Sequence, residues 1–289
     1  MGSAQVMLQP KAATGALFLA AILVGSLGYG GSGHMAVFWG ALMCLMAATA
    51  ISHGRKDYED GLLGFNAILV GCAAMTFLSN TTAVRLLTIG AALSTLPLKH
   101  ILDKVFRFTG ISSLTFPFIL ASWLVMVIAA LFGLPPYAQE SIVLVPEISA
   151  TTLLEALLKG LSQVFLIDSW IGGLLIAVGL LVASSRAALL AFAGSAIGIA
   201  MAFAIGAPWS EICIGLWGFS PALTAIAIGD TFRSHFRHTA VATIVATVIT
   251  TLIQYALVPL SALTGMLTLT LPFCIATWLT VSISKQAKL

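Results

Sequence analysis

Charge is what this sequence has least of. Only 8% of its 289 residues are Asp, Glu, Lys or Arg, against 60% hydrophobic, where soluble domains carry ~25% charged residues. A soluble core cannot absorb that much apolar surface, so lipid must be the solvent for most of the chain. The net charge of +3 is too small to point to nucleic acid. Cysteine is sparse as well. Cys44, Cys72, Cys213 and Cys274 stand singly in apolar runs, with no pair at metal or redox spacing, and they read as small buried hydrophobes. No charged stretch ahead of a short apolar run marks a cleavable leader.

Enzyme signatures are missing too. "GYGGSG" at 28–33 matches a dinucleotide-type glycine pattern, but no strand precedes it, so it reads as a turn. No His-Glu-x-x-His occurs, and Gly229-Asp230 lacks the partners of an intramembrane aspartyl protease. His235 and His238 sit beside Arg233 and Arg237, a solvated basic loop more than a metal site. The sequence implies no catalysis, cofactor or metal. Gly194 and Gly198 read as a close helix contact.

What is present is a set of apolar runs long enough to span a bilayer. Ten candidates lie near 13–29, 34–52, 61–79, 81–98, 112–132, 169–185, 187–206, 212–229, 238–258 and 266–284. With the N-terminus inside, the cytoplasmic segments hold Lys11, Arg55, Lys56, Lys99, Lys104, Arg107, Arg186, Arg233, Arg237, Lys285 and Lys288, and the outer ones only Arg85 and Lys159. That asymmetry predicts ten spans with both termini cytoplasmic. Two weaker stretches, 1–10 and 151–167, are loops or half-helices that enter the membrane partway, which is tolerated where backbone lines a polar cavity.

The chain also repeats itself. "GLLGFNAILVG" at 61–71 is answered by "GLWGFSPALTA" at 215–225, an offset of 154 residues. "TGISSLTFPFILASWL" at 109–124 is answered by "TGMLTLTLPFCIATWL" at 264–279, and "SAQVMLQ" at 3–9 by "LSQVFLI" at 161–167. The fold expected is an all-α membrane protein of two halves, 1–145 and 146–289, each with five spans. Five is odd, so the halves lie upside down relative to each other, with a shared site near the bilayer midplane.

The spans as drawn hold few ionisable groups: Arg85, His34 and His238, all near ends. Coupled pumps and proton relays need charge at mid-membrane. Asp168, Glu211 and Asp230 fall at span edges, and Glu155 in a half-helix candidate, as caps or rim charges. A neutral solute moving downhill fits better than an ion-coupled transporter. Each half offers a Phe and a Leu one turn apart, Phe65 with Leu69 and Phe219 with Leu223, on one helix face. Each offers a Thr two residues before a Pro, Thr115 and Thr270, where the proline is expected to free a carbonyl. Each has a Gln, Gln5 and Gln163. Together these suit a narrow slot for a flat, neutral molecule rich in N–H donors.

These residues resemble the urea transporter family, through the doubled Gly-x-x-Gly-Phe phrase, the doubled Pro-Phe-x-x-Ala-[Ser/Thr]-Trp-Leu phrase, and "AQVMLQ" with "SQVFLI". The resemblance runs from about residue 4 to 283. It implies two inverted five-helix halves, each with a re-entrant half-helix, in a homotrimer with one passive urea pore per subunit. It further implies aromatic slots at Phe65 and Phe219, a middle narrowed by Leu69 and Leu223, mid-pore Thr115 and Thr270, and Gln5 and Gln163 near the mouths. Leu8 and Leu166 would form the walls opposite each Phe. The family often has an aromatic at the position of Leu8, and usually Asn where this chain has Ser220. The N-terminal extension of animal members is missing, which suggests a bacterial inner-membrane protein. The partners implied are the bilayer and urea, or another small neutral amide.

Overall fold

The computed structural model describes residues 1–27, 35–52, 60–109, 111–137 and 145–286. The 28–33 glycine turn, His34, Arg55, Lys56 and Lys288 lie outside the described residues. In the first half, helices α1 to α6 run over Gly2–Gln5, Ala12–Leu27, Met35–Ser52, Phe65–Phe77, Thr82–Val105 and Phe116–Leu131. In the second, α7 to α13 run over Ala150–Ser162, Trp170–Ala183, Ser185–Ala204, Trp209–Ile212, Phe219–Ile226, Thr239–Thr264 and Leu271–Gln286. The described residues form no β-strand beyond one isolated bridge, Leu78 with Pro136.

Each of the ten apolar runs contains a helix, with starts set by local chemistry. The side chains of Thr81, Ser149, Ser169 and Ser184 accept from the amides of Val84, Thr152, Gly172 and Ala187, closing the first turns of α5, α7, α8 and α9. Helices α4 and α11 begin later than the apolar runs suggest. Gly61 (φ 72°) and Gly215 (φ 84°) turn the chain first, a conformation that favours glycine. A Cβ on Gly215 would come within 2.5 Å of the Gly160 nitrogen, and one on Gly61 within 2.7 Å of the Gly2 nitrogen. The repeated glycines therefore seat α1 against the start of α4, and α7 against the start of α11. Gly194 and Gly198 do bring α9 onto α11, leaving no room for a Cβ beside the Pro221 and Trp217 carbonyls.

By length and apolarity, three described helices can cross a membrane: α3, α9 and α12, of 18, 20 and 26 residues. The stretch from α7 through Phe165 to α8 reaches that standard only as a pair bent by 77°, a break where the half-helix was expected. Helix α4, at 13 residues, is ~20 Å long at 1.5 Å per residue, shorter than a ~30 Å hydrocarbon layer.

Two details differ from the sequence expectation. Helix α5 continues to Val105, so Lys99 and Asp103 belong to a helix and not to a loop, and Lys99 is buried. Pro117 and Pro272 occupy the first turns of α6 and α13, where no helical amide partner is required. No carbonyl is freed: the Ser113 and Thr268 oxygens accept from Phe116 and Leu271 amides at 3.1 and 3.0 Å.

The halves meet along α2 and α8, where Thr14 Oγ1 donates to the Gly179 carbonyl at 2.8 Å and Phe18 meets Phe165 edge-on at 5.6 Å. On the outside, Leu131, Leu189 and Leu263 are exposed, apolar surface that fits a lipid environment.

Candidate functional site

Two cavities lie between the halves. The first, of about 80 Å³, is lined by Gln5, Val6, Leu8, Leu62, Phe65, Lys99, Ser112, Leu114, Thr115 and Phe273. The second, of about 440 Å³, includes Gln163, Val164, Leu166, Leu216, Phe219, Gln254, Leu267, Leu269, Thr270 and Phe118 in its lining. Residue for residue these are counterparts, at sequence offsets of 158, 154 or 155. All ten residues of the first cavity have their equivalent in the second. One pair is exchanged: Phe273 of the second half reaches the first cavity, and Phe118 of the first half reaches the second.

The threonines join the two spaces. Thr115 Oγ1 and Thr270 Oγ1 are 2.7 Å apart, and Thr115 Oγ1 is 3.3 Å from Cys274 Sγ. One threonine donates to the other, which leaves acceptor lone pairs on both oxygens. Both are buried, at 2% and 3% exposure, so these lone pairs are polar sites where the linings of the two cavities meet.

The glutamines are held alike. Gln5 Nε2 donates to the Asp60 carbonyl at 2.7 Å, and Gln163 Nε2 to the Ile214 carbonyl at 2.9 Å. Each tie fixes the end of α1 or α7 to the turn ahead of α4 or α11. Each amide thereby spends one N–H on a backbone carbonyl, and both glutamines line a cavity.

Four leucines adopt left-handed backbone: Leu8 (φ 60°), Leu114 (φ 53°), Leu166 (φ 58°) and Leu269 (φ 46°). All four line the cavities, two in each. A Cβ-bearing residue in this region costs ~1–2 kcal/mol, and such strain gathers at functional sites. The left-handed turns close the segments after α1 and α7 at Leu8 and Leu166, and lead into α6 and α13 at Leu114 and Leu269.

Phe65 lines the first cavity with Leu8 and Leu114, and Phe219 lines the second with Leu166 and Leu269. Leu69 and Leu223 are fully buried and line neither space. Trp123 Nε1 donates to the Leu267 carbonyl at 2.8 Å, and Trp278 Nε1 to the Ser112 carbonyl at 3.2 Å. Each half thus holds the other's cavity-lining segment, a reciprocity of the kind a two-fold relation produces.

Phe118 and Phe273 do not figure among the expected site residues, although both stand in the doubled Pro-Phe phrase. Lys99 and Gln254 were legible only through their shared offset of 155. The edge charges find separate partners. Asp168 Oδ1 is 2.9 Å from Lys159 Nζ beside a side cavity that shares Gln163 and Leu166. Glu211 Oε2 accepts from Trp217 Nε1 at 2.9 Å at the rim of the second cavity.

Comparison with known proteins identifies the fold's relatives. The family model "Urea transporter" matches residues 1–285. Urea transporter 1 of Ovis aries is 28% identical over 291 aligned residues, covering 96% of this chain and 74% of the relative. Urea transporter 1 of Mus musculus is 26% identical over 302, with the same coverage. The chain belongs to the urea transporter family, an integral membrane family of transport proteins and not of enzymes.

Proposed function

We propose that this protein carries urea across a lipid bilayer by facilitated diffusion, through the two cavities and the threonine pair between them. The observation that carries this reading is the exact-order matching of ten lining residues across the two cavities, in a chain of the urea transporter family. Urea is flat, neutral, and carries two amino groups and one carbonyl. Moving an amide-like solute into hydrocarbon without hydrogen bonds costs ~4–8 kcal/mol on the cyclohexane scale. The acceptor oxygens of Gln5, Gln163, Thr115 and Thr270 replace lost water at successive points, while Phe65 and Phe219 cover the solute's faces. Leu69 and Leu223, buried one turn on from each Phe, back the walls of this path and do not line it. Contacts of this kind must stay weak, since a deep well slows exit.

The matched backbone turns, the exchanged Phe118 and Phe273, and the crossed Trp123 and Trp278 bonds support two halves, 1–145 and 146–289, related by an in-plane pseudo-two-fold. In that arrangement ten helices span the membrane, the α1 and α7 segments enter it partway, and both termini face the cytoplasm. Three such subunits, each with its own path, form the assembly in a bacterial inner membrane.

The test is stopped-flow urea uptake by proteoliposomes with and without sodium or proton gradients. Equal urea permeability in both conditions supports diffusion. Uptake that requires a gradient overturns it.

A further inference from the structure

The two cavities share a plan but not a fastening. In the first half, Asn66 links the first turn of α6 to the segment ahead of it: its Oδ1 accepts from the Phe118 amide at 3.2 Å, and its Nδ2 approaches the Leu114 carbonyl at 3.5 Å. The latter distance is at the limit of a hydrogen bond. The same segment is tied a second time. Asp103 Oδ1 accepts from both the amide and the hydroxyl of Ser113, at 2.6 and 2.7 Å, and its other oxygen is paired with Lys99. Ser113 is fully buried.

In the second half every one of these holders is replaced. Ser220 stands at the equivalent of Asn66, and its hydroxyl is buried with no hydrogen-bond partner among the described residues. Val258 stands at the equivalent of Asp103 and carries no acceptor. Gln254 stands at the equivalent of Lys99 and donates instead to the Leu216 carbonyl, at 2.7 Å. Met266 in the matching segment is 36% exposed, whereas its counterpart Ile111 is 8% exposed. The space beside the segment held by Asn66 and Asp103 is about 80 Å³. The space beside the other is about 440 Å³.

We infer that Asn66 and Asp103 are positioning residues that set the size limit of the path. They hold residues 111–115, so the first cavity discriminates urea from larger amides, while the second admits both. The inference rests on the permeation path proposed above and assigns the selectivity of that path to one end. Two barriers in series give this its sharp form, because the tighter one governs the bulkier solute.

The experiment measures the permeability ratio of N-methylurea to urea in proteoliposomes for wild type, Asn66→Ser, Ser220→Asn and the Lys99→Gln/Asp103→Val pair. The last copies the second half's Gln254 and Val258 into the first. A ratio cancels differences in reconstituted protein. Asn66→Ser is expected to raise it about threefold to tenfold, the range set by losing one ordinary hydrogen bond. Lys99→Gln/Asp103→Val is expected to raise it in the same direction, and decides the matter if Asn66→Ser does not fold. Ser220→Asn is expected to leave it within about twofold. A ratio unchanged in the first-half variants, or moved as far by Ser220→Asn, overturns the inference while leaving urea permeation standing. Absence of urea flux in wild type overturns the path itself.

Discussion

Thr115 Oγ1 lies 2.7 Å from Thr270 Oγ1, so hydroxyls 155 residues apart in sequence form one polar unit. Each belongs to a helix start reached through a left-handed leucine, Leu114 or Leu269. The strained backbone therefore has a visible consequence. It delivers the threonine side chains to a common point between the two cavities.

The glycines make the first prediction. Gly215→Ala places a Cβ 2.5 Å from the Gly160 nitrogen at φ 84°, a clash with backbone that cannot swing aside. Gly90, in the middle of α5, has nothing within 4 Å of its ideal Cβ. Thermal melting in detergent is expected to drop sharply for Gly215→Ala. It is expected to rise for Gly90→Ala by the equivalent of ~0.5–1 kcal/mol, the helix preference of alanine over glycine.

The left-handed leucines make the second. Leu166→Gly removes ~1–2 kcal/mol of backbone strain and also removes a half-buried apolar wall. The two effects offset, so melting temperature is expected to change by only a few degrees. The thiourea-to-urea permeability ratio is expected to stay within about twofold, because the first cavity governs the bulkier solute.

The crossed tryptophans make the third. Trp123→Phe deletes the 2.8 Å bond to the Leu267 carbonyl and loosens a wall of the second cavity. Trp278→Phe deletes the 3.2 Å bond to the Ser112 carbonyl but keeps a ring to stack on Phe106, now at a centroid distance of 4.0 Å. Each is expected to cost ~0.5–1.5 kcal/mol in denaturation. The pair is expected to add within ~0.5 kcal/mol if the two contacts act independently.

Much of this was legible in the sequence because duplication writes each feature twice. Phe65 with Phe219, Thr115 with Thr270, and Gln5 with Gln163 stand at matching offsets, and all six line the cavities. Helix positions followed from apolar runs, since a side chain facing lipid has little choice of chemistry. The leucine turns were not legible, because no composition rule announces a left-handed leucine. Lys99 was misread as a loop charge. The apolar pattern of α5 fades after Pro97, and only the ion pair with Asp103 and burial against the first cavity explain why the helix carries on. The exchange of Phe118 and Phe273 is a tertiary fact, invisible until the two halves are brought face to face.

The central claim is that urea passes the threonine pair. Its most direct test is stopped-flow urea permeability of reconstituted Thr115→Val/Thr270→Val, with folding checked by size-exclusion profile and melting temperature. Valine keeps the branched shape and removes both hydroxyls, so the meeting point of the two cavities loses these acceptors. A loss of ~1.4 kcal/mol at the barrier slows passage tenfold, and the account predicts a fall of about tenfold or more. A folded double variant with wild-type urea permeability would contradict it.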